Sequence, residues 1–180
     1  MKINGLSAPG RKGSEARSMF TKLLADYQLI AFQETKFTSA DRLWMVTHYI
    51  NSSDSTTQVF WSQRSDDDCN GRNGVALVLS GAHPFSSVKD VTTRYANAEQ
   101  QARYLVLDTL LETRRVFVHV VYAPVEVQAR KRFFDSLPTR FPDAANHLVV
   151  GGLNPTIDPL LDKQTPYPHA LVVKNFKPRC

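Results

Sequence analysis

The chain has 180 residues, 42% of them hydrophobic, and carries a formal net charge of +5. This length suits one domain with a sizeable core, and the mild basic excess favours a polyanionic partner, although many harmless surfaces carry such an excess. Two poorly spaced cysteines, Cys69 and Cys180, argue against a disulfide framework or a zinc knuckle, and no apolar run reaches the ~20 residues that cross a bilayer. We therefore expect an intracellular protein, the nucleus included, that is neither secreted nor inserted in a membrane.

The first element that the sequence indicates is an amphipathic helix. Its apolar side chains recur at helical spacing from Ala16 to Tyr27, behind Ser14 as a candidate N-cap. The apolar stretch Leu29–Phe32 that follows has the length of a short buried strand.

Five β-rich runs come next, separated by turn-forming or charged segments. They are residues 57–61, 74–79, 88–95, 104–110 and 116–121. A second helix around Arg130 to Leu137 ends before Pro138, and His147–Val150 returns to strand. The order helix, several strands, helix, strand predicts an α/β fold in which two packed sheets are flanked by helices.

An acidic segment, Asp66-Asp67-Asp68, lies between two of these runs. Three adjacent carboxylates suggest a cation site, but consecutive side chains rarely converge on one point, and the spacing is not that of a calcium loop. We predict a solvated acidic turn.

The amino-terminal residues Ile3-Asn4-Gly5-Leu6 resemble the Asn-x-Asn-Gly-Leu opening of LINE-type retrotransposon endonucleases. These enzymes belong to the endonuclease/exonuclease/phosphatase superfamily, together with apurinic-site endonucleases and deoxyribonuclease I. Asn4 matches the second asparagine, and the resemblance implies that it supports the site. The first asparagine, which contributes to the metal and phosphate site, falls on Lys2.

Two further stretches follow in the superfamily's order. Residues 31–36, Ala-Phe-Gln-Glu-Thr-Lys, resemble the Leu-Gln-Glu-Thr-Lys stretch, which implies that Glu34 is the principal Mg²⁺ ligand, with Mn²⁺ as an alternative ion. A hard divalent cation prefers carboxylate oxygen and leaves positions for phosphate and water. Val121-Tyr122-Ala123-Pro124 resembles the Tyr-Ala-Pro turn, which implies that Tyr122 contacts the scissile phosphate. Read without these neighbours, Glu34 is an exposed loop acid and Tyr122 a core aromatic.

Gly151-Gly152-Leu153-Asn154 resembles the Gly-Asp-Phe/Leu-Asn motif of the same superfamily, with Gly152 in the place of the aspartate. The resemblance implies that Asn154 orients the phosphate. The aspartate helps to position and deprotonate the attacking water, and glycine offers neither an oxygen nor a base. Loss of one member of such a unit can cost several orders of magnitude in rate.

The superfamily's terminal Ser-Asp-His signature has no counterpart in this sequence, although Asp158 and Asp162 resemble acids found downstream in retroelement relatives. The expected organisation is a partial superfamily domain over residues 1–162, with the carboxyl-terminal part missing, and a divergent tail over 163–180. His169 in that tail, flanked by Pro168, reads as a loop histidine, whereas His119 reads as a core histidine with a hydrogen bond.

Three functions remain open at this point. The first is a magnesium-dependent DNA endonuclease of retroelement type, degenerate because the aspartate and the terminal histidine are absent. The second is an inactive module that binds the backbone of nucleic acid. The third is a decayed fragment without a selected role. Inositol-lipid phosphatases and sphingomyelinases share the superfamily, so the fold alone does not select DNA. Half of a two-sheet sandwich would also leave sheet edges exposed, which predicts self-association.

Overall fold

The computed structural model describes residues 10–35, 40–62, 74–142 and 144–154. Within these ranges the helices and strands are, in chain order, α1 (Gly10–Asp26), β1 (Leu29–Gln33), α2 (Ala40–Ser53), β2 (Gln58–Trp61), β3 (Val75–Leu79), β4 (Phe85–Asp90), α3 (Thr92–Tyr95), α4 (Ala98–Gln101), β5 (Tyr104–Leu111), β6 (Arg114–Tyr122), α5 (Val127–Ser136) and β7 (Asn146–Gly152). No helix in the described ranges is both long and apolar enough to cross a membrane.

The strands form two sheets. One has the order β1-β3-β2 and is antiparallel throughout, whereas the other has the order β4-β5-β6-β7. In the second sheet only the β6–β7 pair is parallel, because α5 carries the chain back across the sheet between these two strands. The parallel register places Tyr122 beside Gly152, so both strands end at the same pole of the molecule.

The two sheets pack face to face over a largely apolar core, which also includes the side chain of Tyr122. Alternate residues of β1 and β3 face those of β5, β6 and β7, as expected for strands whose side chains point to opposite sides in turn. The core residues are Leu29, Ala31, Val75, Leu77, Leu79, Leu105, Leu107, Val116, Val118, Val120 and Val150. The whole of β3 is buried, which explains its continuous run of apolar residues.

Helices cover the outer faces of both sheets. Phe20 of α1 and Val46 and Ile50 of α2 pack on the outward residues of β1 and β3. On the other sheet, Phe133 of α5 packs in a cluster that contains Phe117. The expectation of two sheets flanked by helices is therefore confirmed.

A series of hydrogen bonds runs through the cluster that contains Phe117 and Phe133. The Tyr104 hydroxyl lies 2.6 Å from His119 Nδ1, and His119 Nε2 lies 2.9 Å from Nδ1 of the exposed His147. A neutral imidazole satisfies both contacts, since it accepts at one nitrogen and donates from the other. His119 is thus a buried, hydrogen-bonded core histidine, as the sequence predicts.

One expected strand, residues 88–95, is wrong over its second half. The strand β4 runs from Phe85 to Asp90, and Thr92 begins the short helix α3. The Thr92 backbone N–H donates to the Asp90 carboxylate over 2.8 Å, which turns the chain out of the sheet. The β-branched composition of the segment hid this local turn.

The helix starts also differ from expectation. The first helix begins at Gly10, so Ser14 lies inside it and is not its N-cap. The whole of α2 was not expected, because its exposed Trp44 and Met45 interrupt the apolar stripe that Val46 and Ile50 bury. The acidic segment Asp66–Asp68, the tail 163–180 and the domain boundary at residue 162 lie outside the described residues.

Candidate active site

The three strands that carry the motif residues end close together. The last residue of β1, Gln33, lies against Gly152 at the end of β7, and Tyr122 at the end of β6 pairs with Gly152 in register. Residues that follow parallel strand ends commonly form ligand sites in α/β proteins. The structure thereby brings Glu34, Tyr122 and Asn154 to one pole, whereas Asn4, Lys2, Asp158 and Asp162 lie outside the described residues.

Glu34 and Tyr122 are in direct contact. The Tyr122 hydroxyl donates a hydrogen bond to Oε1 of Glu34, across 88 positions of sequence. The Glu34 side chain is partly exposed, whereas Tyr122 is buried by its ring. A carboxylate held in this way is oriented by its neighbour.

The Tyr122 hydroxyl remains protonated over the physiological range. Burial raises the pKa of Tyr122 to about 12, and the hydrogen bond and negative charge of Glu34 act in the same direction. Arg103 opposes this shift: its guanidinium lies 5.1 Å from the centre of the Tyr122 ring and donates to the Tyr122 carbonyl oxygen over 3.3 Å. Tyr122 is therefore a hydrogen-bond donor and not a base.

The backbone at both motif residues is unusual. Glu34 has φ +49° and Asn154 has φ +47°, in the left-handed region that residues other than glycine rarely adopt. Two other such residues in the described ranges, Ser87 and Glu112, belong to an irregular strand and a hairpin turn. Backbone strain of this kind persists only where the surrounding fold holds it in place, and such positions cluster at functional sites.

Asn154 fixes the loop that follows Tyr122. Its Nδ2 donates to the carbonyl oxygen of Ala123 over 2.6 Å, and the Ala123 N–H donates to the carbonyl oxygen of Gly152 over 2.8 Å. Two hydrogen bonds therefore tie the end of β7 to the Tyr-Ala-Pro turn. The remaining capacity of the Asn154 amide is its second N–H and its oxygen.

Position 152 offers the site no carboxylate, because its residue is glycine. In the described part of the chain, no three or more histidine, cysteine, aspartate or glutamate side chains are grouped so that they could hold a metal ion. Magnesium is often held by one or two carboxylates together with waters and substrate phosphate, so Glu34 fits the ion only in that sparse mode. Bound there, magnesium would neutralise charge on a phosphate oxygen.

Two residues of this pole were not assigned a role from the sequence. Arg103 was given no role, yet its guanidinium lies over the Tyr122 ring. Gln33 was part of the motif around Glu34, but nothing in the sequence showed that its side chain lies over Gly152. The alternation of side chains along β1 is the one signal that could have placed Gln33 on the inner face, since Leu29 and Ala31 face the core.

No protein-family model and no curated protein sequence matches the chain. Among solved structures, the chain is similar to D. rerio TDP2 humanised by 14 mutations, with a TM-score of 0.56 and 14% identity over 91% of this chain and 68% of that one. For a truncated Caenorhabditis elegans TDP2 the TM-score is 0.46 with 13% identity, covering 85% of this chain and 59% of that one. For TDP2 from C. elegans it is 0.47 with 13% identity, covering 86% and 46%.

At 14% identity, the similarity to the D. rerio protein establishes the fold alone. The chain spans between 46% and 68% of the length of these three structures. Its described part is a mixed α/β arrangement of two sheets flanked by helices, and it shares this fold with the D. rerio protein.

Proposed function

We propose that the pole formed by Glu34, Tyr122 and Asn154 binds the phosphodiester backbone of nucleic acid, with magnesium on Glu34, and does not hydrolyse it at an appreciable rate. The observation that carries the proposal is the Glu34–Tyr122 contact, which joins two motif residues from separate strands. A carboxylate that can hold a cation lies next to a hydroxyl whose single proton is donated to that carboxylate. Once a cation occupies the Glu34 oxygen, the Tyr122 hydroxyl can turn its proton to a phosphate oxygen. The net charge of +5 favours the same polyanionic ligand.

The hydrolytic step lacks a base in this proposal. Gly152 has no side chain, and the Tyr122 hydroxyl keeps its proton because its pKa is about 12. Water attack on a phosphate needs a group that accepts a proton near neutral pH. Binding is therefore favoured over cleavage among the described groups.

The branch within the superfamily is proposed from the motifs. The Asn4-Gly5-Leu6 opening, the stretch around Glu34 and the Tyr-Ala-Pro turn resemble retroelement endonucleases more than lipid phosphatases. We therefore propose DNA as the ligand and a degenerate retroelement endonuclease as the origin of the chain. The resemblance also supports a domain that ends near residue 162.

Binding is tested by fluorescence anisotropy with a labelled DNA oligonucleotide at several salt concentrations, with magnesium or EDTA. The wild type should bind more tightly in magnesium, and its affinity should fall as salt rises. Glu34→Ala should lose the magnesium effect, whereas Glu99→Ala, which removes the same charge from an exposed position on α4, should keep it. Equal responses of the two variants would rule out a Glu34-bound ion.

A second function, slow hydrolysis, is favoured by the retained Glu34, Tyr122 and Asn154. Nicking of supercoiled plasmid in magnesium, with EDTA and Glu34→Ala as controls, separates it from binding. Cleavage that needs both magnesium and Glu34 would show that the site works without the aspartate. Absence of cleavage by a folded, DNA-binding protein would support the binding function.

A further inference from the structure

The side chain of Gln33 occupies the space that a side chain at position 152 would need. A Cβ added to Gly152 would overlap Oε1 of Gln33 and would lie 3.0 Å from its Cδ and 3.3 Å from its Nε2. The neutral carboxamide of Gln33 therefore lies directly over the Gly152 Cα atom. A group from β1, in the other sheet, therefore fills the space that a side chain of residue 152 would need.

The Gln33 amide nitrogen is also unsatisfied. Nε2 is buried and has no hydrogen-bond partner, the one such side-chain atom found in the described part of the chain. A buried donor without an acceptor costs stability, so native proteins rarely keep one without a reason. An acceptor that arrives with a ligand would remove this cost.

The neighbours of Gln33 indicate which acceptor fits. Gln33 directly precedes Glu34, whose carboxylate is bonded to Tyr122, and Arg103 flanks the Tyr122 ring. A ligand at this pole would meet the amide N–H of Gln33 and the guanidinium of Arg103, and both groups donate to anionic oxygen. The torsion that orients a glutamine amide is soft, and Gln33 as a whole is partly exposed, so the N–H can turn toward an entering group.

We propose that Gln33 is a phosphate-binding residue, which uses the space left by Gly152 to donate its Nε2–H to an oxygen of the bound phosphodiester. The proposal rests on the proposed function of the Glu34 pole. It gives the glycine at position 152 a positive role: an aspartate there would displace the amide and add negative charge beside the phosphate. A neutral amide can hold an oxyanion but cannot deprotonate water, so the pair Gln33–Gly152 favours binding without cleavage.

The test compares Gln33→Met with Gln58→Met in a labelled DNA oligonucleotide binding assay and in urea unfolding. Methionine has nearly the length of glutamine but no donor, and Gln58 is an exposed residue at the start of β2. Gln33→Met should weaken oligonucleotide binding about tenfold, as loss of a hydrogen bond to a charged group does, and should raise the urea midpoint. Gln58→Met should leave both unchanged.

Gly152→Ala provides an independent variant. Its Cβ should push the Gln33 amide aside and weaken binding without removing the donor, and the double variant with Gln33→Met should bind no more weakly than Gln33→Met alone. Two results for Gln33→Met would overturn the role of Gln33 while the proposed function stands. One is an affinity equal to that of the wild type, and the other is a loss of affinity together with a loss of stability. A wild type that fails to bind the oligonucleotide would overturn both.

Discussion

The contact with Glu34 contributes to the raised pKa of Tyr122. Burial is the largest cause of the raised pKa of Tyr122, and Glu34 adds to it through the bond and its charge. Glu34→Gln removes the charge while keeping an acceptor of similar shape. We expect the pKa of Tyr122 to fall from about 12 toward its ordinary value of 10.0, without reaching it, because burial persists.

The measurement is an NMR titration of ring-labelled tyrosine up to about pH 11, where the free phenol is largely ionised. Tyr122→Phe identifies the signal of Tyr122. The variant should begin to ionise in this range, whereas the wild-type signal should stay nearly constant. Identical titration curves would show that the two side chains do not interact in solution.

Gly151 is a position that the backbone reserves for glycine. Its φ is +133°, and a Cβ there would overlap the carbonyl oxygen of Val121 on the adjacent strand. Gly151→Ala should therefore destabilise the fold by about 2–4 kcal/mol, through strain and local separation of β6 from β7. Urea unfolding measures this loss, and Val149→Ala, at an exposed position of the same strand, should cost less than about 1 kcal/mol. Comparable losses in the two variants would contradict the steric argument.

At the residue scale, motif order was sufficient to select Glu34, Tyr122 and Asn154, which the fold then brings together. The sequence could not reveal the relation of Gln33 to Gly152, because that contact depends on how β1 lies against β7. A glycine in a motif shows which group is missing. Only the packed structure shows what fills its place.

At the scale of elements, β6 and β7 are joined by the hydrogen bond between His119 and His147. Burial lowers the pKa of His119 to about 4, and the neighbouring His147 acts in the same direction. The ordinary value, 6.5, applies in the unfolded chain, so the unfolded state binds a proton more readily than the folded state. The stability that the neutral His119 gives the folded state is therefore fully present above about pH 6.5 and is lost as the pH falls toward 4.

Because of this difference in proton binding, the free energy of unfolding should be about 2 kcal/mol lower at pH 5 than at pH 7.5. His119→Phe, which suits an aromatic cluster containing Phe117 and Phe141, should flatten the dependence, even though Tyr104 loses a partner. Urea unfolding at the two pH values tests this, and His48→Phe, at an exposed position of α2, should retain the wild-type slope. A slope that His119→Phe leaves intact would assign the acid sensitivity to other groups.

The strands were the most predictable elements, because burial on one or both faces gives their sequences a clear apolar pattern. The fully buried β3 and the long hairpin β5–β6 were expected within two residues of their observed ends. Elements whose limits depend on single polar contacts could not be predicted from the sequence. The turn that Asp90 makes with Thr92 ended β4 early, and two exposed aromatic or sulfur-containing residues, Trp44 and Met45, concealed α2.

At the scale of the whole molecule, β1 and β7 are edge strands that lie side by side. Neither has a second partner among the described strands, and the two are in contact with each other. A cavity of about 300 Å³ opens between the sheets at the far end of these strands, and its apolar walls include Leu29, Phe85 and Leu148. Unpaired edges next to an apolar opening favour association with another chain.

We expect the purified chain to self-associate through β7, whose outward Val149 is 52% exposed. Val149→Lys places a charge on β7, a device with which natural sheets prevent edge-to-edge pairing, and should raise the dissociation constant about tenfold or more. Sedimentation equilibrium should show that the mass of the wild type rises above 20.3 kDa as the protein concentration increases. For the Val149→Lys variant, the same rise should need a higher protein concentration. Val125→Lys, at a 72% exposed position before α5, adds the same charge away from the edge and should behave as the wild type. A wild type that stays monomeric to about 100 µM, a concentration at which weak dimers are populated, would show that this edge is covered within the chain itself.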